Sequence, residues 1–383
     1  MLTLNLSGQG TYWRAFHLGR QLARRGHAVT LLSTSRKRRI GLTIRQAEGM
    51  TLIESPDLFS GAWRSGWDGW NIINRLRVLH NKSFDLVHAF ESRPTVIFPA
   101  LHVAGRQKIP LVMDWCDWFG RGGSVEERPN PLLRALLRPV ETFFEEHFRP
   151  QARGATVICS VLREKALHLG IPTESILLLP NGSDTEGLLV FPLAAARQEM
   201  SLSDEDFIVG YLGAIFHKDA QLLTKAFDIL CEHLPNARLL MVGHNPYDLH
   251  RMVKQAQRLT QTGYVDQRRM NLGLAACDVL WLPLSDTNAN RGRFPLKVTD
   301  YLAVGRPIVA TAVGDLAMAF AQLPFGLLTA PNPSDFAAQT LRLHADPALR
   351  EKMGFQARRL AETHYDWRIF ADQLESFYRR MVH

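Results

Sequence analysis

The stretch 286–314, DTNANRGRFPLKVTDYLAVGRPIVATAVG, gathers residue types able to do chemistry at a spacing that brings them together. It follows an apolar run ending Trp281-Leu282-Pro283, and Pro295 suits the first turn of a helix running to about Val304 and stopped by Gly305. Arg291, Arg293 and Lys297 therefore cluster with a helix N-terminus at the carboxyl end of a parallel strand, where open α/β sheets take ligands. This predicts a site for an anionic group. Asp300, one turn beyond Lys297, is placed to accept hydrogen bonds from sugar hydroxyls, the plainer role being a solvated carboxylate paired with Lys297.

Two further constellations lie nearer the N-terminus. In Ser7-Gly8-Gln9-Gly10-Thr11, Gly8 and Gly10 let the backbone approach a phosphate beside a helix start, or simply make an ordinary strand-to-helix turn. The run Asp114-Trp115-Cys116-Asp117-Trp118-Phe119-Gly120-Arg121 joins carboxylates, aromatic faces and a glycine-rich loop, the materials of a sugar or acceptor pocket lined by Asp114, Trp118 and Arg121. Paired carboxylates also suit acid and base roles, and a structural role for Asp114 is equally open.

Other features point to packing. Trp63, Trp67 and Trp70, followed by Ile73 and Leu76, recur at helical spacing beside Arg64, Arg75 and Arg77 and predict a core-facing stripe. Over 132–149, Leu132, Leu133, Leu136, Leu137, Phe143, Phe144 and Phe148 accompany Arg134 and Arg138; packing on a sheet is expected, with docking on a membrane surface as the alternative. His17, His88, His217 and His244 show no metal-ligand spacing, although His217 adjoins Lys218.

The elements that must hold these residues alternate along the chain. Short apolar runs at 28–33, 85–89, 110–113, 155–160, 207–212, 238–243, 277–283 and 307–311 read as strands, and 12–25 and 219–234 as crossover helices. A turn-rich start at Asn181-Gly182 places the linker within 181–205. The last segment, 366–383, has Trp367, Phe370, Leu374, Phe377 and Met381 on one helical face, which needs a surface to cover.

Length and composition bound the rest. A chain of 383 residues exceeds the roughly 250 to 300 at which single cores stop growing, so two domains are expected. Hydrophobic residues at 46% and charged residues at 21% exclude a disordered chain. No apolar run reaches the roughly 20 residues of a membrane span, and four dispersed cysteines suggest reduced thiols, so a cytoplasmic protein is expected. A net charge of +8 favours anionic partners: nucleotide phosphates, nucleic acid or lipid headgroups.

FPLKVTDYLAVGRPIVAT resembles the donor-site signature of family 4 glycosyltransferases of the GT-B fold. GTYWRAFHLGRQLARRGHAVTLL, FDLVHAF, ILLLPNGSD and VGYLGAIFHKDAQLL agree with that family in order and spacing over nearly the whole chain. The resemblance implies two Rossmann-like α/β domains facing a cleft: 1–183 for the acceptor, 184–365 for a nucleotide diphosphate sugar, and 366–383 as a helix crossing back to the first. It implies retaining transfer without a metal or other cofactor, with the departing phosphate taking the acceptor proton.

By position, Lys218 matches the lysine contacting the donor diphosphate and Asp300 the second acidic residue of a Glu, seven residues, Glu motif, which binds ribose. Gly292 stands where the first glutamate belongs, so Arg291, Arg293 or Lys297 is expected in its place, with a donor sugar that differs or carries a negative charge. Tyr211 replaces a strand arginine. Asp117 matches an aspartate that a histidine often precedes, with Cys116 in the histidine's place. The resulting expectation assigns Asp117, Lys218 and Lys297 to catalysis, and Gly8, Gly10, Arg291, Arg293, Lys297 and Asp300 to the donor. The donor is a UDP- or GDP-linked sugar and the acceptor a glycan, lipid-linked or small molecule; nucleic acid is not expected as a partner, and peripheral contact with the inner membrane face is allowed. The alternatives are a non-catalytic nucleotide-sugar-binding protein and another nucleotide-sugar processing enzyme on the same scaffold.

Overall fold

Runs that are apolar at successive positions rather than alternating form strands buried on both faces, and such strands pair in parallel with helices over each face. The computed structural model describes residues 1–36, 39–58, 66–322 and 324–382 and divides into two units, Met1–Asn181 with Trp367–His383, and Gly182–Asp366. Among the described residues no helix is long and apolar enough to cross a membrane.

The first unit holds eight strands: β1 (Leu2–Leu6), β2 (Thr30–Thr34), β3 (Thr43–Ala47), β4 (Met50–Ser55), β5 (Val87–Phe90), β6 (Leu111–Trp115), β7 (Gly154–Val157) and β8 (Ile176–Leu178). Their order is β3-β4-β2-β1-β5-β6-β7-β8, parallel except for the edge pair β3 and β4. That pair is a two-residue hairpin. Glu48 and Gly49 between its strands both take positive φ, 52° and 76°, the backbone a tight right-twisted hairpin demands. Leu2, Leu4, Leu32, Ala89 and Met113 meet Val96 and Ile97 of the helix Pro94–Gln107 in the core.

The second unit holds β9 (Phe207–Leu212), β10 (Ala237–Val242), β11 (Leu259–Gln261), β12 (Val279–Leu282), β13 (Ile308–Thr311) and β14 (Gly326–Thr329), all parallel in the order β11-β10-β9-β12-β13-β14. Val209, Trp281, Val309 and Phe336 centre its core, and the Trp281 indole donates to Thr340 at 3.0 Å. The chain order reverses at β9 and β12, so the loops after these strands open a crevice at the carboxyl edge. The corresponding reversal in the first unit falls at β1 and β5.

The expected strands and the two crossover helices, now Thr11–Arg24 and His217–His233, are present, and the 296–303 helix begins one residue after Pro295, which caps it. Within 181–205 the chain also forms the helix Leu193–Met200, fixed by an ion pair from Arg197 to Asp278 at 2.6 Å. The last helix, Trp367–Val382, covers the first unit: Trp367 stacks on His17 with ring centroids 5.4 Å apart, and Phe377 packs where a Cβ on Gly154 would come within 2.7 Å.

Two packing expectations are corrected. Trp63 and Arg64 lie outside the described residues, and the helix Gly69–Leu79 buries Asn71, Asn74, Arg75 and Leu79 while Ile73 is exposed. Arg75 is drawn inward because three backbone and hydroxyl acceptors, Thr95 O, Thr3 O and Thr34 Oγ1, bind its two terminal nitrogens. The helix Pro131–Glu146 likewise turns Glu141 and Glu145 inward and leaves Leu132, Leu133, Leu136, Val140 and Phe143 exposed, while Phe144 and, just beyond the helix, Phe148 pack against the first unit's core as expected.

Leu374 is fully buried on the last helix. Leu374→Ala is expected to lower stability by about 2 to 5 kcal/mol through lost burial and a cavity; urea unfolding followed by tryptophan fluorescence measures it, and an unchanged midpoint would deny the helix its anchoring role.

Candidate functional site

In the second unit the residues of 286–314 meet the loop after β9. Lys297, second residue of its helix, donates from Nζ to the Tyr211 hydroxyl at 2.6 Å and to the Ala214 carbonyl at 2.8 Å, and Nζ lies 4.1 Å from the Tyr211 ring centre. An ammonium has three donors, so one N–H remains for a ligand. Burial pushes Lys297 down to about 7, with Asp219 and Asp300 favouring its charge and Arg293 opposing it. Asp300 is pushed up to about 7, by burial first and Asp184 second, while Lys297 holds it down. Two groups of opposite sign thus sit near their midpoints one helical turn apart.

The supporting shell was not legible beforehand. Asp219, in the first turn of His217–His233, accepts from Ser285 N at 2.7 Å and from the Asn290 side chain at 3.2 Å, tying the loop after β9 to the loop after β12. Burial makes its carboxyl a weaker acid than usual, holding it above the ordinary carboxylate range. Asn290 in turn accepts from Arg293 at 3.1 Å, and the Arg293 guanidinium lies over Phe216 at 4.4 Å. Tyr301 accepts from Leu212 N and donates to Trp281 O, clamping the ends of β9 and β12. An acidic residue in a helix's first turn was the available cue to Asp219; nothing local marks the other partners.

The remaining expected donor residues are placed differently. Lys218 is exposed on the first turn after the β9 loop. Arg291 is exposed and forks onto Asp286 with bonds of 2.7 and 2.8 Å, so its charge is already paired outside the Lys297 cluster. Gly292 provides no carboxylate. Gly8 and Gly10 belong to the first unit, at the start of Thr11–Arg24 with φ of 79° and 56°; a Cβ on Gly10 would strike Asn5 at 2.6 Å, so the glycine is needed for the turn itself.

The expected acceptor residue Asp114 is corrected. Its carboxylate is wholly buried, held by Arg14 through Nε at 3.0 Å and Nη2 at 2.9 Å and by the Thr156 hydroxyl. Arg14 outweighs burial and holds Asp114 below its ordinary range. Arg14 also reaches the carbonyls of Leu179 and Pro180, locking β6, the first helix and the end of the first unit together. Asp117 and Trp118 are half-buried on the following loop, and Arg121 is exposed. The Trp118 indole donates to Arg121 O at 2.9 Å, while Glu145 accepts from Phe119 N and Gly120 N, both at 2.7 Å, so this loop is stapled in place.

Beside it sits a group the sequence did not announce. Glu91, after β5, has φ of 77° and accepts from Cys116 N at 3.3 Å and Cys116 Sγ at 2.8 Å, with Arg149 at 3.5 Å. Burial pushes Glu91 up to about 8 despite Arg149, and Cys116 is raised well above the usual thiol range. His88, by contrast, is a core residue between Tyr378 and Thr156, pushed down to about 3 by burial.

Residues 7–182 match the glycosyl transferase 4-like domain and residues 206–346 match glycosyl transferases group 1. The chain belongs to the group 1, GT4-type glycosyltransferase family, and its two parallel-sheet Rossmann-like units are those of GT-B proteins. It is 27% identical over 226 residues to a D-inositol 3-phosphate glycosyltransferase of Pseudarthrobacter chlorophenolicus, covering 56% of this chain and 53% of that one, so the match spans about half of the relative's length. The fold is similar to a sucrose-phosphate synthase of Thermosynechococcus elongatus, with TM-score 0.77, 18% identity and coverage of 99% and 95%. It is also similar to HepE of Anabaena in complex with UDP and glucose, with TM-score 0.70, 15% identity and 99% of each chain covered.

Asp114→Asn would leave Arg14 charged and without its carboxylate. The expected outcome is a stability loss of about 3 to 5 kcal/mol in chemical denaturation; a wild-type midpoint would return Asp114 to the list of ligand-facing residues.

Proposed function

We propose that the protein is a retaining glycosyltransferase that takes a nucleoside diphosphate sugar, UDP- or GDP-linked, in the second unit and transfers the sugar to a glycan, lipid-linked or small-molecule acceptor held by the first. The observation that carries this reading is the Lys297 ammonium, delivered with one free donor to the carboxyl edge of the second sheet where strand order reverses, with Asp300 one turn beyond. HepE, of the same fold, is known with UDP and glucose bound, which supports a diphosphate in this crevice.

In this reaction the bond from the sugar's anomeric carbon to the diphosphate oxygen breaks, the acceptor oxygen bonds to that carbon on the same face, and the acceptor proton passes to the departing phosphate. Negative charge grows on the diphosphate as the bond breaks, so fixed cations stabilise the transition state more than the ground state. Lys297 supplies that charge from the site, Lys218 supplies a second cation from the exposed helix start, and Arg293 adds to the field. Asp300 accepts a ribose hydroxyl. Asp117, on the stapled loop of the first unit, is the carboxylate assigned to the reacting sugar and acceptor, and the reaction requires no metal or other cofactor.

Lys297→Ala should reduce affinity for the donor by about tenfold or more, the worth of one hydrogen bond to a charged group, with little change in melting temperature. Calorimetric titration with UDP- and GDP-linked sugars tests this, and equal affinity in the variant refutes the site.

The pH response has two limbs. Above pH about 7 free Lys297 is deprotonated, so a ligand that needs its ammonium must take up a proton and affinity falls as pH rises. Below pH about 7 Asp300 is protonated and loses an acceptor, so affinity falls as pH drops. Donor affinity should therefore peak near neutrality, with Lys297→Met retaining only the acid limb and Asp300→Asn only the alkaline one. Identical profiles in all three proteins would break the assignment of these groups to the ligand.

A further inference from the structure

The run Gly305-Arg306-Pro307 leads from the end of the helix Leu296–Ala303 into β13, and it lines a cavity of about 400 Å³ at the amino ends of β12 and β13, the edge of the second sheet opposite Lys297. That volume falls within the roughly 300 to 1,000 Å³ of small-molecule pockets. The facing wall belongs to the helix Pro347–Thr363, on which Arg350, Gly354 and Arg358 follow at four-residue spacing, as do Glu351 and Phe355. Glycine at 354 is what lets the two walls meet: a Cβ there would come within 2.6 Å of Gly305 O.

The three arginines of this cavity are not equivalent. Arg358 donates to the carbonyls of Ala303, Leu188 and Thr185 and to Glu362 at 2.6 Å, so its charge caps the negative end of Leu296–Ala303 and is paired with a carboxylate. Arg306 is half-buried and bonds through Nε and Nη2 to neutral carbonyls, those of Ala275 and Phe191; among the described residues its Nη1 has no hydrogen-bond partner and its charge no ion pair. Arg350 is held through Nη1 by the carbonyls of Leu343 and His344 at 2.7 and 2.9 Å. Its carboxylate neighbour Asp278 lies 4.0 Å from Nη2 and is already bonded by Arg197 at 2.6 Å and by Ile208 N at 2.7 Å. Main-chain carbonyls thus fix the direction of two guanidiniums without neutralising them. Planar forks held in that way suit a phosphate, whose oxygens accept pairs of N–H bonds.

The rest of the lining selects the body of the ligand. Val190, Leu193 and Phe355 supply apolar surface, and Glu351, exposed, has no hydrogen bond or ion pair among the described residues, which leaves both its oxygens for donors. A carboxylate there opposes a bare phosphate dianion and favours a ligand that brings hydroxyl groups with it. We infer that this cavity is a ligand site separate from the Lys297 cluster, made for a small phosphate monoester with a hydroxylated body, a sugar phosphate in its chemistry, with the phosphate on Arg306 and Arg350 and the hydroxyls toward Glu351. The inference does not depend on the proposed transfer reaction, because the cavity and the Lys297 cluster lie at opposite edges of the sheet.

The test is calorimetric titration of the full chain with ribose 5-phosphate, inorganic phosphate and ribose. The expected result is that ribose 5-phosphate binds, inorganic phosphate binds more weakly and ribose does not bind. Arg306→Ala should weaken ribose 5-phosphate by about tenfold or more, the worth of a hydrogen bond to a charged group. Because Arg306 also holds the Ala275 and Phe191 carbonyls, that variant is expected to melt lower; Glu351→Ala, at an exposed helix position, should keep the wild-type melting temperature. It should weaken ribose 5-phosphate by about tenfold and leave inorganic phosphate bound no more weakly than before. Lys297→Ala should bind ribose 5-phosphate as the wild type does. Absence of ribose 5-phosphate binding, or equal affinity in the wild type and either cavity variant, overturns the inference. So does equal affinity for ribose 5-phosphate and inorganic phosphate, or loss of binding in Lys297→Ala, which would give the ligand to the Lys297 cluster. Titration of the same samples with UDP reports on the donor site separately.

Discussion

Parallel pairing of strands constrains everything else in this protein. Parallel neighbours need a crossover between them, so the parallel strands are covered on both faces and their carboxyl ends emerge on one edge, the antiparallel edge strand β3 excepted. Where the strand order reverses, the crossovers diverge and leave that edge open. The Lys297 cluster lies at such a reversal, between β9 and β12, and the Glu91 and Cys116 group lies at the other, after β5. Chemistry-bearing side chains concentrate there because everywhere else the sheet surface is filled by apolar packing.

Burial gives the two open edges different electrostatic characters. In the first unit two arginines are drawn beneath the surface and matched with carboxylates, Arg14 with Asp114 and Arg149 with Glu91. Arg14 and Asp114 are joined by several hydrogen bonds and are costly to disturb, and Arg149 donates to the Asp114 carbonyl, so this charge holds the unit together rather than being offered to a ligand. In the second unit Lys297 is only half-buried and its two acceptors are neutral, so the ammonium lacks a directly bonded carboxylate. A cation in that condition gains more from an incoming anion than one already neutralised by a salt bridge, and for that reason Lys297, rather than Arg291, is the electrostatic centre of the site.

The parallel strands of both sheets were legible because apolar runs record burial on both faces, and the 296–303 helix because Pro295 and Gly305 punctuate it. The hairpin of β3 and β4 was not: Thr43–Ala47 is mostly polar and exposed, and its turn depends on Glu48 taking a positive φ that residue type does not announce. Helix periodicity misled in Gly69–Leu79 and Pro131–Glu146, because periodicity finds two faces without saying which is inside. There, buried arginine and glutamate partners from distant segments decided the matter. The Lys297 site was legible as a cluster of charges at a helix start, but its neutral acceptors and the Asp219 brace depend on residues 66 to 86 positions apart.

Tyr211 and Lys297 are best understood as one exchange. The family resemblance places an arginine at the position of Tyr211, on the strand, and here the cation comes from the helix instead. The Tyr211 hydroxyl accepts from Lys297 Nζ and donates to Ala214 O at 3.3 Å, so a single neutral group orients the ammonium and satisfies the loop. An arginine at 211 could donate to the loop carbonyl but could not accept from Lys297, since a guanidinium has no acceptor, and it would set two positive charges about 4 Å apart at a cost of about 4 kcal/mol at the effective dielectric of a protein surface. Strand cation and helix cation are therefore alternatives for the same ground. The one present is a lysine, which burial pushes down to about 7, whereas an arginine would be charged at every physiological pH.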